Sequence, residues 1–584
     1  AGRGAMVWIS TANDTIFQEA YFTRGYQSSV EPVMTTGVGS ASVLGEIKVI
    51  WPDGRQSIRT QIAPDQVITI SQSESIKSEA LPPVPNPTLI RDVTASSGLD
   101  FIHRENKFID FKVQRLLYYQ VSRLGGKLAK GDVNNDGNDD VFFGGAIGQP
   151  GMLYLGRDNG SFLKSQSQPW AMDSIFEDTD ALFFDADSDG DADLYVVSGG
   201  SEFIPSAPLY QDRLYINDGN GSFTKISDAL PLESASGSIV TAADYDKDGD
   251  LDLFVGGRIV PGSYGFIPRS YFFQNNSVKG KVKFTDVTLQ QEALSNLGMV
   301  TCAVWTDYNG DSWPDLIVAG EWMPVKVFEN QKGKMIERTD LTSLEKSEGW
   351  WCSILPADID NDGDTDYFLG NAGTNMQFKA SPEEPVQLYA WDFNQDGTLD
   401  PIVTYFIQGK SYPLATRDEL LDQVSSFRKR FIKYEDYASA TIDDLGDEDQ
   451  IEQSYKFSAY VLQSCWMENI GGKDFKLHPL PDLAQVSPIN AFVLDDFTGV
   501  GKKQIIAAGN FYPFKPQLGR SDASKGLLLE YKNGISVANG VLSDVWLEGD
   551  IRDMELLNFK SGIRRILVSR NNDKASVYAV SIRQ

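Results

Sequence analysis

The chain has 584 residues, enough for a large repeat architecture beside a small domain, and its 41% hydrophobic and 11% aromatic content is that of a folded protein with a sizeable core. A formal net charge of −29 argues against any nucleic-acid role, because phosphate binding depends on Lys and Arg, and it makes a divalent cation the expected counter-charge. Three scattered cysteines, Cys302, Cys352 and Cys465, form neither a disulfide framework nor a metal knuckle and read as buried free thiols.

Residues 1–72 read as a small β domain, with alternating stretches at Ala5–Ile9 and Glu46–Ile50 separated by "TTGVGS" and the Pro-Asp-Gly turn of "WPDGR". The chain opens on Ala1 and runs straight into this pattern, so it reads as a processed or truncated piece of a longer protein. Residues 73–90, "SESIKSEALPPVPNPTLI", have no periodicity and four prolines, and are expected to form a linker before a second domain at 91–584. No run is apolar for long enough to cross a bilayer, so no membrane insertion is expected within the chain.

From residue 90 onward the sequence repeats. An acidic nonapeptide occurs six times, mostly 50–60 residues apart: "DVNNDGNDD" (132–140), "DADSDGDAD" (185–193), "DYDKDGDLD" (244–252), "DYNGDSWPD" (307–315), "DIDNDGDTD" (358–366) and "DFNQDGTLD" (392–400). Short apolar strands flank each copy, and a hairpin such as "YINDGNGSF" follows most of them, so each unit is a small antiparallel sheet. Weaker units at 493–510 and 555–572 give seven blades, or eight if the 358 and 392 motifs begin separate blades. The segment 416–445 breaks the β pattern. Thr416 and Glu419 form a capping box, and Leu420, Val424, Phe427 and Phe431 share one face at helical spacing, which predicts a helical insertion between two strands of a blade.

An EF-hand loop needs a bidentate Glu at its twelfth position, which here is Phe143, Val196, Val255, Val318, Leu369 or Val403. The ninth position is Asp in all six copies, which predicts a tight strand-to-strand loop holding one hard cation by side chains at positions 1, 3, 5 and 9 and the carbonyl of position 7. The expected calcium ligands are Asp132, Asn134, Asp136, Asn138 and Asp140; Asp185, Asp187, Asp189, Asp191 and Asp193; Asp244, Asp246, Asp248, Asp250 and Asp252; Asp307, Asn309, Asp311, Trp313 and Asp315; Asp358, Asp360, Asp362, Asp364 and Asp366; and Asp392, Asn394, Asp396, Thr398 and Asp400. These make up to six structural Ca2+ sites. The copy with Ser312 at the glycine position is expected to be strained, and the unit at 496, with Thr498, Val500 and Gln504, is expected to bind nothing.

The repeat resembles the FG-GAP or VCBS repeats of calcium-bearing β-propellers, and the first 72 residues resemble the ASPIC/UnbV domain through "TRGYQSS", "GVG" and "WPDGR". Together they resemble the cartilage acidic protein-like family, and "GLDFIHRENKFIDF" and "YPLATRDELLDQ" are similar to its long Bacteroidetes-type members. The resemblance implies an all-β propeller of four-stranded blades in a large secreted or cell-surface protein, in a bacterium on the outer membrane face, with no agreed catalytic residue.

Only two histidines, His103 and His478, are available as a general base, and both read as structural. Loops at one repeat position offer Phe203, Tyr210, Tyr264, Phe266, Arg269, Trp322, Phe511 and Tyr512, which either form a recognition face for a glycan or a surface protein or pack down to seal the rim. The expectation is a non-catalytic, extracellular module for adhesion or ligand recognition. The alternatives are a structural subunit of a larger surface assembly without its own small ligand, and a polysaccharide-active hydrolase or lyase.

Overall fold

The computed structural model describes every residue except 1, 13, 78–88, 167, 539–544 and 581–584, and the chain divides into two compact units, Ala1–Asn86 and Pro87–Gln584. The first unit is a five-stranded antiparallel sheet ordered Thr15–Glu19, Met6–Ser10, Leu44–Ile50, Arg55–Ile62 and Ile76–Lys77. The turn of "WPDGR" joins the third and fourth of these, with Gly54 at φ 79° donating its N–H to the Trp51 carbonyl at 2.8 Å. Alternate residues Ile47 and Val49 turn inward with Ala5, Ile9 and Trp51 to make a small core. The edge strand Ile76–Lys77 falls within the stretch read as linker and the strand Ile90–Asp92 begins at its last residue, so regular structure reaches into it from each side; residues 78–88 lie outside the described residues.

The second unit is a β-propeller of seven four-stranded blades. Their inner strands are Leu128–Gly131, Asp178–Phe184, Ser236–Ala243, Met299–Thr306, Ser353–Ala357, Ile489–Asp495 and Ile551–Asn558, each packed against the next, with the seventh returning to the first. The last blade obtains only three strands from the C-terminal end. Its fourth is Ile90–Asp92, paired with Ser576–Val580 through Tyr578↔Asp92 and Val580↔Ile90, so the ring is closed by hydrogen bonds between the two ends of the unit.

Seven rather than eight blades follow from an insertion. In the fifth blade Asp366–Gly370 pairs with Cys465–Asn469, and the intervening chain forms a separate four-stranded sheet, Lys410–Pro413, Asp400–Ile407, Val386–Trp391 and Tyr455–Ala459, that carries the 392 motif outside the ring. The helical segment lies within this inserted sheet and not directly between two strands of a blade. Its Thr416–Glu419 capping box is present, but the α-helix is only Arg417–Gln423; Val424 leaves helical geometry at ψ 79° and a 3-10 turn, Ser425–Lys429, follows. Leu420, Val424, Phe427 and Phe431 are nevertheless buried in one cluster with Tyr389 and Ile402 of the sheet, because packing and not helix continuity places them.

Each blade interface has its own apolar cluster, such as Phe142, Leu153, Leu194, Val196 and Tyr215 between the first and second blades. Each large side chain so buried contributes roughly 1.5–3 kcal/mol.

Candidate functional site

Five of the six acidic loops join the first and second strands of the first five blades, so they lie at one end of the ring; the sixth makes the corresponding turn in the inserted sheet. Their backbones share one conformation. Positions 4 and 6 are left-handed in every copy, as at Asn135 (φ 56°) and Gly137 (φ 86°) or Ser188 (φ 60°) and Gly190 (φ 95°). This turns successive N–H groups onto the loop's own carboxylates: Asp136 N and Gly137 N donate to Asp132, and Asn138 N donates to Asp136 Oδ1.

The ninth-position aspartates are almost completely buried in all six loops. One oxygen usually accepts the N–H of position 2, as Asp140 Oδ2 does from Val133 at 2.9 Å, and the other accepts from the third strand, as Asp140 Oδ1 does from Gly156 at 2.7 Å. Burial, reinforced by the neighbouring loop aspartates, pushes Asp140, Asp193, Asp315, Asp366 and Asp400 up to about 7 and Asp252 to about 8.

The donor set fits a hard divalent cation. Asp187 Oδ1, Asp244 Oδ1, Asp250 Oδ1, Asp315 Oδ2, Asp358 Oδ1, Asp364 Oδ1 and Asp366 Oδ2 are buried oxygens without a hydrogen-bond partner. In three loops the carboxylate oxygens converge to within 4.8 Å of one another, from Asp185, Asp187 and Asp193, from Asp244, Asp246 and Asp248, and from Asp358, Asp360 and Asp362. Buried carboxylates without donors are costly unless a metal or proton compensates them. In the four loops other than those at 244 and 358 the position-7 side chain has a different partner: Asn138 donates to Asp158, Asp191 accepts from Asn135, Thr398 donates to Asp396, and Trp313 lies under the Lys247 ammonium.

The loop at 496 keeps the conformation without the ninth-position carboxylate. Gly499 and Gly501 take the two left-handed positions, three N–H groups point at Asp496, and Gln504 Oε1 accepts from Phe497 N at 2.9 Å where the other loops have an aspartate.

Sequence reading missed an asparagine that ties neighbouring loops together. Asn217, Asn275, Asn330 and Asn469 end the third strands of the second to fifth blades; each gives its N–H to the ninth-position Asp of its own blade and its Nδ2 to the position-2 carbonyl of the preceding blade. The signal is present as "YIN", "FFQN", "FEN" and "MEN".

The expected ligand face divides. Tyr210, Tyr264 and Trp322 are buried and cannot meet a ligand, whereas Phe203, Phe511 and Tyr512 are half-buried and only Phe266 and Arg269 are exposed. Tyr210 is held by its own loop, donating to the Phe203 carbonyl at 3.0 Å; Arg269 pairs with Asp286, and Arg520 lies over Tyr512. Tyr264 and Trp322 pack beneath Tyr118 and Tyr119, from a segment that crosses the axis just before the first blade and closes the channel.

This plug is held by a buried polar cluster. Glu321 accepts from Tyr118, from Tyr119 at 2.7 Å and from Arg258 Nη2 at 2.7 Å, while Trp322 Nε1 donates to Tyr264 at 2.8 Å and Tyr118 stacks on Trp350 with ring centroids 4.8 Å apart. Burial and the Glu321 charge hold all three tyrosines well above their usual range, so their hydroxyls stay protonated donors. Under the plug the channel widens into a cavity of about 120 Å3 to which the start of every inner strand contributes. Loops bearing exposed Met172, Ile204, Leu232 and Phe266 surround this end of the ring.

His103 is buried, its Nδ1 accepting from Asn572 N at 3.1 Å, and burial lowers it to about 4. His478 bonds Glu468 at 2.7 Å and stacks on Trp466. The three thiols are free; Cys302 and Cys465 are buried and Cys352 is half-buried at the cavity.

Comparison with known proteins places the ASPIC and UnbV family on residues 1–77 and the FG-GAP-like repeat on residues 132–196, 185–255 and 307–369. The phosphatidylinositol-glycan-specific phospholipases D of Homo sapiens and Bos taurus are similar, at 23% identity over 212 residues and 24% over 211, which is 36% of this chain and 20% of each of theirs. The chain thus spans about a fifth of the length of the curated relatives it matches. Among solved structures, Saccharomyces cerevisiae Sqt1 is similar at 10% identity, with 80% of this chain and 99% of that one covered and a TM-score of 0.38. The Vibrio cholerae biofilm matrix protein Bap1 covers 83% and 90% at 10% identity and a TM-score of 0.33.

Proposed function

We propose that this chain, in which an ASPIC and UnbV segment precedes an FG-GAP-like propeller, is a calcium-binding, non-catalytic recognition module of an extracellular or cell-surface protein, engaging a glycan or another surface protein. The observation that carries the reading is the division of the ring into two unlike ends. One end holds loops of oxygen donors with unpartnered carboxylates, the donor set of calcium and not of a soft metal. The other end holds long loops with apolar side chains in water, Leu232 at 93% and Met172 at 84% exposure among them, and loops on a rigid scaffold are where binding usually resides.

Calcium here is structural. It fixes the turn between the first and second strands of the first five blades, so the recognition end depends on ions bound at the opposite end. A non-catalytic role is supported by the state of the titratable groups, since the loop carboxylates are committed to a cation and His478 is engaged by Glu468.

The test is binding of the purified chain to arrays of glycans and of surface-protein extracts, with calcium and with chelator. Specific binding lost on chelation, and weakened by Phe266→Ala or Leu232→Asp with the melting temperature unchanged, supports the reading. Absence of binding in both conditions overturns it in favour of a scaffold within a surface assembly.

A further inference from the structure

The cavity beneath the plug has a charge opposite to that of the protein. Its lining includes Lys127, Arg258 and Arg552 against one carboxylate, Glu321, in a chain of net charge −29. Arg258 and Arg552 are 8% and 5% exposed, and each spends Nη2 on a carboxylate, Arg258 on Glu321 at 2.7 Å and Arg552 on Asp550 at 3.1 Å. Arg258 Nη1 and Arg552 Nε are buried and have no acceptor. Lys127 is half-exposed, and among the described residues its ammonium has no hydrogen bond or ion pair, although its charge reaches Asp180 and Cys302. Buried cationic N–H groups without acceptors are costly, and with Arg258 paired to Glu321 and Arg552 to Asp550 the Lys127 ammonium is the one charge of the three left without an ion-pair partner among the described residues.

The remaining walls are aromatic. Trp350 and Phe511 face the space, with the Arg552 guanidinium 4.7 Å from the Phe511 ring centroid. A volume of about 120 Å3 exceeds that of a bare oxyanion, and the apolar walls favour a carbon body over the hydration shell that sulfate or phosphate would have to shed.

We propose that this axial cavity binds a small organic carboxylate, its oxygens taken by Arg258 Nη1, Arg552 Nε and the Lys127 ammonium and its apolar body lying against Trp350 and Phe511. The proposal stands on the cavity alone and is independent of what the outer loop end recognises.

Calorimetric titration of the full chain in calcium, with phenylacetate, its neutral amide phenylacetamide, and sulfate as probes, tests it. The expected result is saturable binding of phenylacetate, with the amide weaker by about tenfold or more, since hydrogen bonds to charged groups are being lost. Lys127→Met should weaken phenylacetate by about tenfold, while the phenylacetamide affinity stays as it is in the wild type. Equal binding of acid and amide, sulfate binding as well as phenylacetate, or no binding of any probe at millimolar concentration would each overturn the proposal, the last assigning the free donors to water.

Discussion

Asn330, at the end of the fourth blade's third strand, donates from Nδ2 to the carbonyl of Tyr245 in the third blade's acidic loop at 2.7 Å, while its own N–H binds Asp315 at the same distance. One side chain therefore joins two acidic loops. Asn330→Ala would leave the buried Tyr245 carbonyl and the half-buried Pro314 carbonyl without this donor, at about 1–3 kcal/mol for the buried one. Urea unfolding of the variant should show the lowered midpoint, and an unchanged midpoint would mean that water replaces the amide.

Calcium removal should loosen several blades together. A loop with Kd of ~10⁻⁴–10⁻³ M contributes ~0.4–1.4 kcal/mol at about 1 mM calcium. Chelation should therefore lower the melting temperature, and Asp189→Ala should reproduce part of the drop. No shift after verified removal of the ions would sink the calcium assignment.

The loop at 307 exchanges its residue types. Gly310 takes position 4 at φ 74°, where other copies have Asn, Ser, Lys or Gln, and Ser312 takes position 6 at φ 70°, where they have glycine. A left-handed non-glycine residue costs about 1–2 kcal/mol, partly offset by the chain entropy a glycine would add, about 0.5–1 kcal/mol. Ser312→Gly should stabilise the protein by up to about 1 kcal/mol, read from the denaturation midpoint; a destabilised variant would show that the Ser312 side chain supports the loop.

Asp212, just before the second blade's third strand, and Glu233, between the second and third blades, are neighbouring buried carboxylates. Burial pushes Asp212 up to about 6, and burial followed by the Asp212 charge holds Glu233 well above its usual range. Both folded-state values lie above the unfolded ones, so the stability of the pair is fully present below about pH 4 and is lost as pH rises through and beyond 6. Glu233→Gln keeps a hydrogen-bonding group without the charge. The wild type's melting temperature should fall relative to the variant's between pH 5 and 8, and parallel curves would show that the pair does not share a proton.

The repeat, the strands and the acidic loops were legible because their causes are local. Alternating apolar residues choose strands, and Asp, Asn and Gly at fixed offsets choose the turn. Even the departure of the loop at 496 from the acidic pattern could be read from Gln504. The asparagine latch was equally visible in "FEN" and "MEN" but had no meaning until neighbouring blades were placed side by side.

Whether the 392 motif founded a blade was decided by the pairing of Asp366–Gly370 with Cys465–Asn469 across almost a hundred residues, a choice no local pattern contains. The same holds for the loop aromatics. Trp322 and Phe266 occupy comparable loops, yet one is buried because Tyr118 and Tyr119 cross above it and the other stays in water. The plug, the Arg258–Glu321 pair and the cationic cavity exist only because ring closure brings residues from the start of every inner strand to one axis. Sequence alone determined which turns could hold a cation; the closed ring decided which side chains remained to meet a ligand.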